Sequence, residues 1–178
     1  MSGGENREFW LRGPVPGIPP LLQPPAHALL QAREEVNTLL AGFPDDLLWQ
    51  RPAGVASPGF HLQHLAGVLD RLLTYANDRS LDQAQLKDLN AEGTPVEGQS
   101  TVAELLNRFN IQIDKALEQI SQTPVSMLTD VRFVGRARLP STVAGLLFHA
   151  AEHTQRHTGQ LLVTVRVLTA HHPARQPL

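Results

Sequence analysis

An all-α fold, a four-helix bundle, is predicted by three features of this chain of 178 residues. Four stretches carry apolar residues at the three- and four-residue spacing of a helix, proline and glycine punctuate the joints between them, and no long run alternates as a strand would. Each amphipathic stripe must be buried against the others, which is the geometry of a bundle.

The elements follow in chain order. Residues 1–25 form a Pro-rich arm with Pro14, Pro16, Pro19, Pro20, Pro24 and Pro25; Phe9, Trp10, Leu11, Ile18, Leu21 and Leu22 make it too apolar for a solvated tail, so it is expected to pack as extended chain on the body. A single domain over 26–170 then begins with a helix over 26–41, where Leu29, Leu30, Val36, Leu39 and Leu40 recur between the prolines and Gly42. Ser57 followed by Pro58 reads as an N-cap and a first-turn proline, which starts a second helix over 58–76. The stretch 77–99 is polar and holds a short helix over 81–89. Ser100 is expected to cap a third helix, with Glu104 near the capping-box position and Val102, Leu105, Leu106, Phe109, Ile113, Leu117 and Ile120 on its core face, ending near Gln122. Residues 131–139 alternate loosely, as a short hairpin or extended loop would. Pro140 and Ser141 lead into a fourth helix reaching about Leu168, and 171–178 form a polar tail in which His171 and His172 are expected to be solvated.

Composition excludes several classes of function. Fifteen Lys and Arg against 17 Asp and Glu give a formal charge of -2 with no basic block, so nucleic acid is not an expected partner. There are no cysteines, so a metal site must be built from nitrogen and oxygen, and any reacting thiol must arrive from outside. No segment approaches the roughly 20 apolar residues that cross a bilayer, and the N-terminus lacks a signal-peptide core. A soluble, cytoplasmic protein without membrane partners is expected.

Histidine carries the chemistry. His149, His153 and His157 recur one turn apart on the fourth helix. At about 100° per residue, His153 and His157 fall in the apolar stripe of Val143, Leu146, Ala150, Leu161 and Leu168. His61 and His64 fall beside Leu65, Val68 and Leu72 on the second helix, with Gln63, Asp70 and Arg71 opposite. Several imidazoles buried together repel when protonated and leave ring nitrogens without partners, and a divalent ion resolves both problems. Three imidazoles without a thiolate suit zinc, nickel or ferrous iron, with the remaining positions open to water or substrate. On the residues alone, hydrogen-bonded core or lid histidines explain the spacing as well, because His-x-x-x-His is not specific. A zincin-type protease is disfavoured, since Thr154 follows His153 where that motif requires Glu.

Two segments carry a resemblance. His153-Thr-Gln-Arg-His157-Thr-Gly-Gln160 is similar to the C-terminal pattern of the DinB-like superfamily, in which two metal histidines four apart precede x-Gly-Gln. Leu48-Trp49-Gln-Arg51-Pro52, running on to Ser57-Pro-Gly-Phe-His61-Leu-Gln-His64-Leu-Ala66, resembles that family's Trp and Arg-Pro turn before a helix with a His-Leu pair. The family includes YfiT-type metal-dependent hydrolases and related thiol-dependent transferases. The resemblance implies an up-down-down-up bundle, frequent homodimerisation, and a metal held by His64, His153 and His157. It places His61 and His149 one turn from ligands, as supports for them, as cleft residues or in plain packing roles. Gln160 is a further candidate for orienting a ligand or substrate. Thr158 departs from the arginine that many relatives carry, so the resemblance gives no support to an anion-binding role at that position. Trp49 and Arg51 are expected to fix their turn, and Tyr75 and Glu35 are candidates for proton transfer only if they face the site. The implied activity is metal-assisted activation of water or of a low-molecular-weight thiol toward a small-molecule substrate. A non-catalytic stress-response protein with a structural or sensing metal is the alternative.

Overall fold

Pro24 and Pro25 lie inside the first turn of helix α1 (Gln23–Leu39) rather than ahead of it. Their missing N–H groups fall where a helix has no internal acceptor, and their fixed φ suits the start. The computed structural model describes residues 7–170; His171 and His172 lie outside the described residues.

The arm is less extended than expected. It folds into two short 3-10 turns, Phe9–Leu11 and Pro20–Leu22, and ties itself to α1 by polar bonds. The Phe9 N–H donates to Gln31 Oε1 at 2.9 Å, and the Arg12 guanidinium meets both Glu34 oxygens at 2.7 and 2.8 Å. Leu22 is buried, whereas Trp10, Leu11 and Leu21 remain exposed.

Helix α2 (Pro58–Ala76) starts as its sequence predicts, with Ser57 Oγ accepting from the Phe60 N–H and proline in the first turn. Its approach is shaped by Gly59: a Cβ there would lie 2.5 Å from the Trp49 ring. Arg51 donates to the carbonyls of Gly54 and Val55 and so holds the preceding turn together. Helix α3 (Gln83–Ala91) is capped by Asp82, which forms a reciprocal capping box with Gln85. Helix α4 (Val102–Gln122) takes Thr101 as its N-cap; Ser100 sits one residue ahead and bonds Glu104, which serves both residues.

Strands β1 (Val131–Val134) and β2 (Leu139–Thr142) pair antiparallel, from Val131 against Thr142 to Val134 against Leu139. Pro140 and Ser141 therefore belong to the hairpin, and helix α5 (Val143–Ala170) begins directly after it. Proline is tolerated there because a two-stranded ribbon is all edge.

Among the described residues, four long helices bury one core. Helix α5 packs on α1 and α2, and α4 packs on α2 and α1, so α1 and α2 face each other diagonally. Leu62, Leu65, Leu69, Leu105, Phe109, Ile113, Leu147 and Leu161 are almost wholly enclosed between them. One projection fails: Gln63 and Arg71, placed on the outer face of the second helix by periodicity, are buried. The connection after α2 folds back over that face, where Gln63 bonds the Thr94 carbonyl and the Gly93 N–H. No helix among the described residues is long and apolar enough to cross a membrane.

Candidate metal centre

Helical spacing delivers His153 and His157 to one edge of α5, and the packing of α2 against α5 brings His64 to meet them. Ring centroids lie 4.4 Å apart for His64 and His157, 4.6 Å for His153 and His157, and 5.2 Å for His64 and His153. Each of the three can offer one ring nitrogen to a common point, with the donor atoms within 4.8 Å of one another. The centre line of α5 toward the core is occupied by Thr154, Thr158 and Leu161, so the histidines flank the core half-buried rather than facing it squarely. Thr154 and Thr158 satisfy their hydroxyls on carbonyls one turn back, Ala150 and Thr154 respectively, which lets threonine fill a buried helical face.

A carboxylate missed by the sequence reading completes the arrangement. Glu92, just past the end of α3, accepts from His64 Nδ1–H at 2.7 Å through Oε2 and from Arg71 at 2.7 Å through Oε1. Both the Glu92 and Arg71 side chains are about nine-tenths enclosed. Gly67 makes room for them, because a Cβ there would lie 2.7 Å from the Arg71 guanidinium and 2.9 Å from Glu92 Oε1. Burial alone would raise the Glu92 carboxyl, but the bonds and charges of His64 and Arg71 outweigh it and hold it below its ordinary value. Its signal in the sequence was faint: one Glu in a polar stretch, with no period to mark it.

One proton position follows from these bonds. A carboxylate only accepts, so His64 carries a proton on Nδ1 and turns Nε2 toward His153. The two Nε2 atoms lie 2.9 Å apart, close enough for one to donate to the other, and His153 Nδ1 is buried without a hydrogen-bond partner. On the other side His61, itself buried, places Nδ1 3.2 Å from His157 Nδ1. Phe60 stacks on the His64 ring and meets His61 edge-on. Burial first, then the charge of His64, pushes His61 down to about 4; burial, then His64 and its neighbours, pushes His157 down to about 4. Burial, followed by His64, also lowers His153. These three rings are therefore held neutral at pH 7, the form that binds metal.

The donor set fits a divalent ion. Three imidazoles converge, and one ring has a proton-accepting carboxylate behind it. The 2.9 Å between the two Nε2 atoms is close to the separation of about 3.3 Å for two nitrogen ligands on tetrahedral zinc.

Other candidates fall elsewhere. Gln160 is exposed and lines a mainly apolar groove of about 550 Å³ with Val55, Ala56, His61, Val163 and Thr164. His149 is exposed on α5, with Nδ1 3.4 Å from Glu152. Tyr75 is 11 positions beyond His64 on the same helix, about 16 Å along its axis, too far to serve the site. Glu35 accepts from Gln31 within α1.

No curated protein matches the chain. A crystal structure of a conserved protein from Enterococcus faecalis shares the fold, with a TM-score of 0.66 at 20% identity over 83% of this chain and 96% of that one. The family model of the DinB superfamily matches residues 28–161, a span that contains all three converging histidines. The chain belongs to the DinB superfamily.

Proposed function

We propose that this protein is a metal-dependent enzyme in which His64, His153 and His157 hold a divalent ion, zinc, nickel or ferrous iron, and act on a small molecule with water or a low-molecular-weight thiol as nucleophile. The observation that carries this reading is the convergence of three imidazoles, from helices far apart in the chain, with a buried carboxylate behind one of them. A bound ion of this kind lowers the pKa of a coordinated water or thiol, supplying a nucleophile at neutral pH.

The chain's own residues prepare that chemistry. Glu92 keeps the His64 proton on Nδ1, so that Nε2 is free for the ion, and Arg71 fixes the carboxylate. His61 shares a proton with His157 across their Nδ1 atoms, which orients the second ligand. Glu92 and His61 are both occupied by these bonds, so three protein donors rather than four serve the ion, and coordination positions stay open for reactants. The groove beside His61 supplies an apolar wall for the body of a substrate, while Gln160 adds an amide at its rim. The same reading includes the up-down-down-up course, since α2 and α4 are neighbours joined by the long connection that a parallel pair requires.

Elemental analysis of protein purified without added metal tests the site. Wild type should carry close to one equivalent, and His64→Ala/His153→Ala/His157→Ala should carry none while keeping its helical circular dichroism. Stoichiometric metal in the triple variant refutes the assignment. Thiol conjugation and hydrolysis, assayed on a panel of electrophiles and esters, then separate an enzyme from a structural or sensing protein. Equal rates for metal-loaded and metal-stripped protein reject the catalytic reading.

A further inference from the structure

A second cluster of side chains with metal-ligand chemistry lies on α5, one turn toward its N-terminus. His149, Glu152 and His153 also bring one ligand atom each within 4.8 Å of one another, so His153 belongs to both groups. The outer group is more open: the His149 side chain is 49% exposed and Glu152 34%, against 16% for His64. Histidines four apart on a helix face the same way and chelate without any rearrangement of the chain. Glu152 is already aimed. Arg156 holds its Oε1, while Oε2 points at His149 Nδ1, 3.4 Å away.

We propose that His149, Glu152 and His153 form an outer divalent-metal site that cannot be filled together with the inner triad and that passes its ion inward through His153. This rests on the inner site proposed above. The exclusion follows from imidazole chemistry: a neutral ring has one lone pair, and its other nitrogen carries the proton. His153 turns Nε2 toward His64, the nitrogen suited to the inner triad, while its unpartnered Nδ1 is left for the outer group. Moving the proton from one ring nitrogen to the other switches the ring between the two sites. Each arrangement gives the ion a carboxylate or imidazoles and leaves no charge stranded on the ring. The outer site is the weaker of the two, because Arg156 beside Glu152 repels a cation. A weak, exposed site sharing one ligand with a stronger, half-buried one is the arrangement of an entry step.

Zinc alone is a sufficient probe, in competition with a chromogenic chelator on the full chain. Wild type is expected to bind one tight equivalent. His64→Ala/His157→Ala, which removes the inner triad but keeps His153, is expected to bind one equivalent more weakly, and adding His149→Ala should abolish it. No zinc in the folded double variant overturns the outer site, and two tight equivalents in wild type overturn the exclusion. If wild type binds no zinc, the inner site itself fails. Should the double variant not fold, stopped-flow zinc uptake by His149→Ala alone replaces it: slower uptake than wild type supports the entry step, and an unchanged rate rejects it.

Discussion

Replacing Glu92 by alanine separates the metal centre from the fold that supports it. Glu92 makes two bonds of 2.7 Å, one to His64 Nδ1 and one to Arg71, so its loss has two consequences of different size. At the site, His64 is free to put its proton on either nitrogen and its ring is no longer anchored. Loss of such a supporting carboxylate weakens metal binding about 10- to 100-fold, equivalent to roughly 1.4–2.7 kcal/mol. In the fold, the Arg71 guanidinium, whose side chain is 10% exposed, loses its counter-charge. Breaking a buried pair on one side costs about 3–5 kcal/mol, and the remaining exposure puts this case at the lower end. The two effects are resolved by measuring zinc affinity against a competing chelator and urea stability in the presence of EDTA, which removes the contribution of bound metal. Arg71→Met/Glu92→Ala is the control: without the stranded cation it should regain most of the stability but none of the affinity. Glu92→Gln, which keeps an acceptor of similar shape, should fall between wild type and alanine in affinity. A folded Glu92→Ala protein that binds zinc as tightly as wild type refutes the role given to this residue.

Three further outcomes are expected. Gly67→Ala pushes a methyl group into the Arg71 and Glu92 side chains, so it should weaken zinc binding although it touches no ligand, and unchanged affinity would show that the pair has room to shift. Leu161→Ala empties part of the fully enclosed core between α5 and its neighbours and should cost about 2–5 kcal/mol in denaturant unfolding, with a loss under 1 kcal/mol contradicting the packing described. Metal-free protein should lose stability as pH falls from about 6.5 toward 4. His61 and His157 are depressed to about 4 in the fold, so the unfolded chain takes up their protons first across that window, and the loss levels off below it. A urea midpoint that does not move over this range contradicts the burial of neutral rings, and His61→Phe should make the decline shallower.

Much of this molecule follows from local rules. The spacing of apolar residues marks α1, α2, α4 and α5, Ser57 with Pro58 marks the start of α2, and the four-residue interval sets His153 above His157. All of these depend on contacts within a few turns of one helix, where chain geometry repeats regardless of what surrounds it. Periodicity fails where the surroundings decide. Gln63 and Arg71 lie on what a lone amphipathic helix would expose, but the connection after α2 covers them, and the same covering carries Glu92 to His64, 28 positions away. Thr154 and Thr158 take the deepest line of α5 because their hydroxyls are satisfied within the helix, so polarity does not report their burial. The short hairpin before α5 has too few residues to show a period. Residue chemistry and helical spacing mark which side chains could bind a metal and set His153 and His157 on one helical face. The resemblance also named His64, but the meeting of His64 with the other two rings, the aim that Glu92 gives it and the place of His153 between two groups come from helix packing, because contacts between distant segments do not depend on the spacing within any one helix.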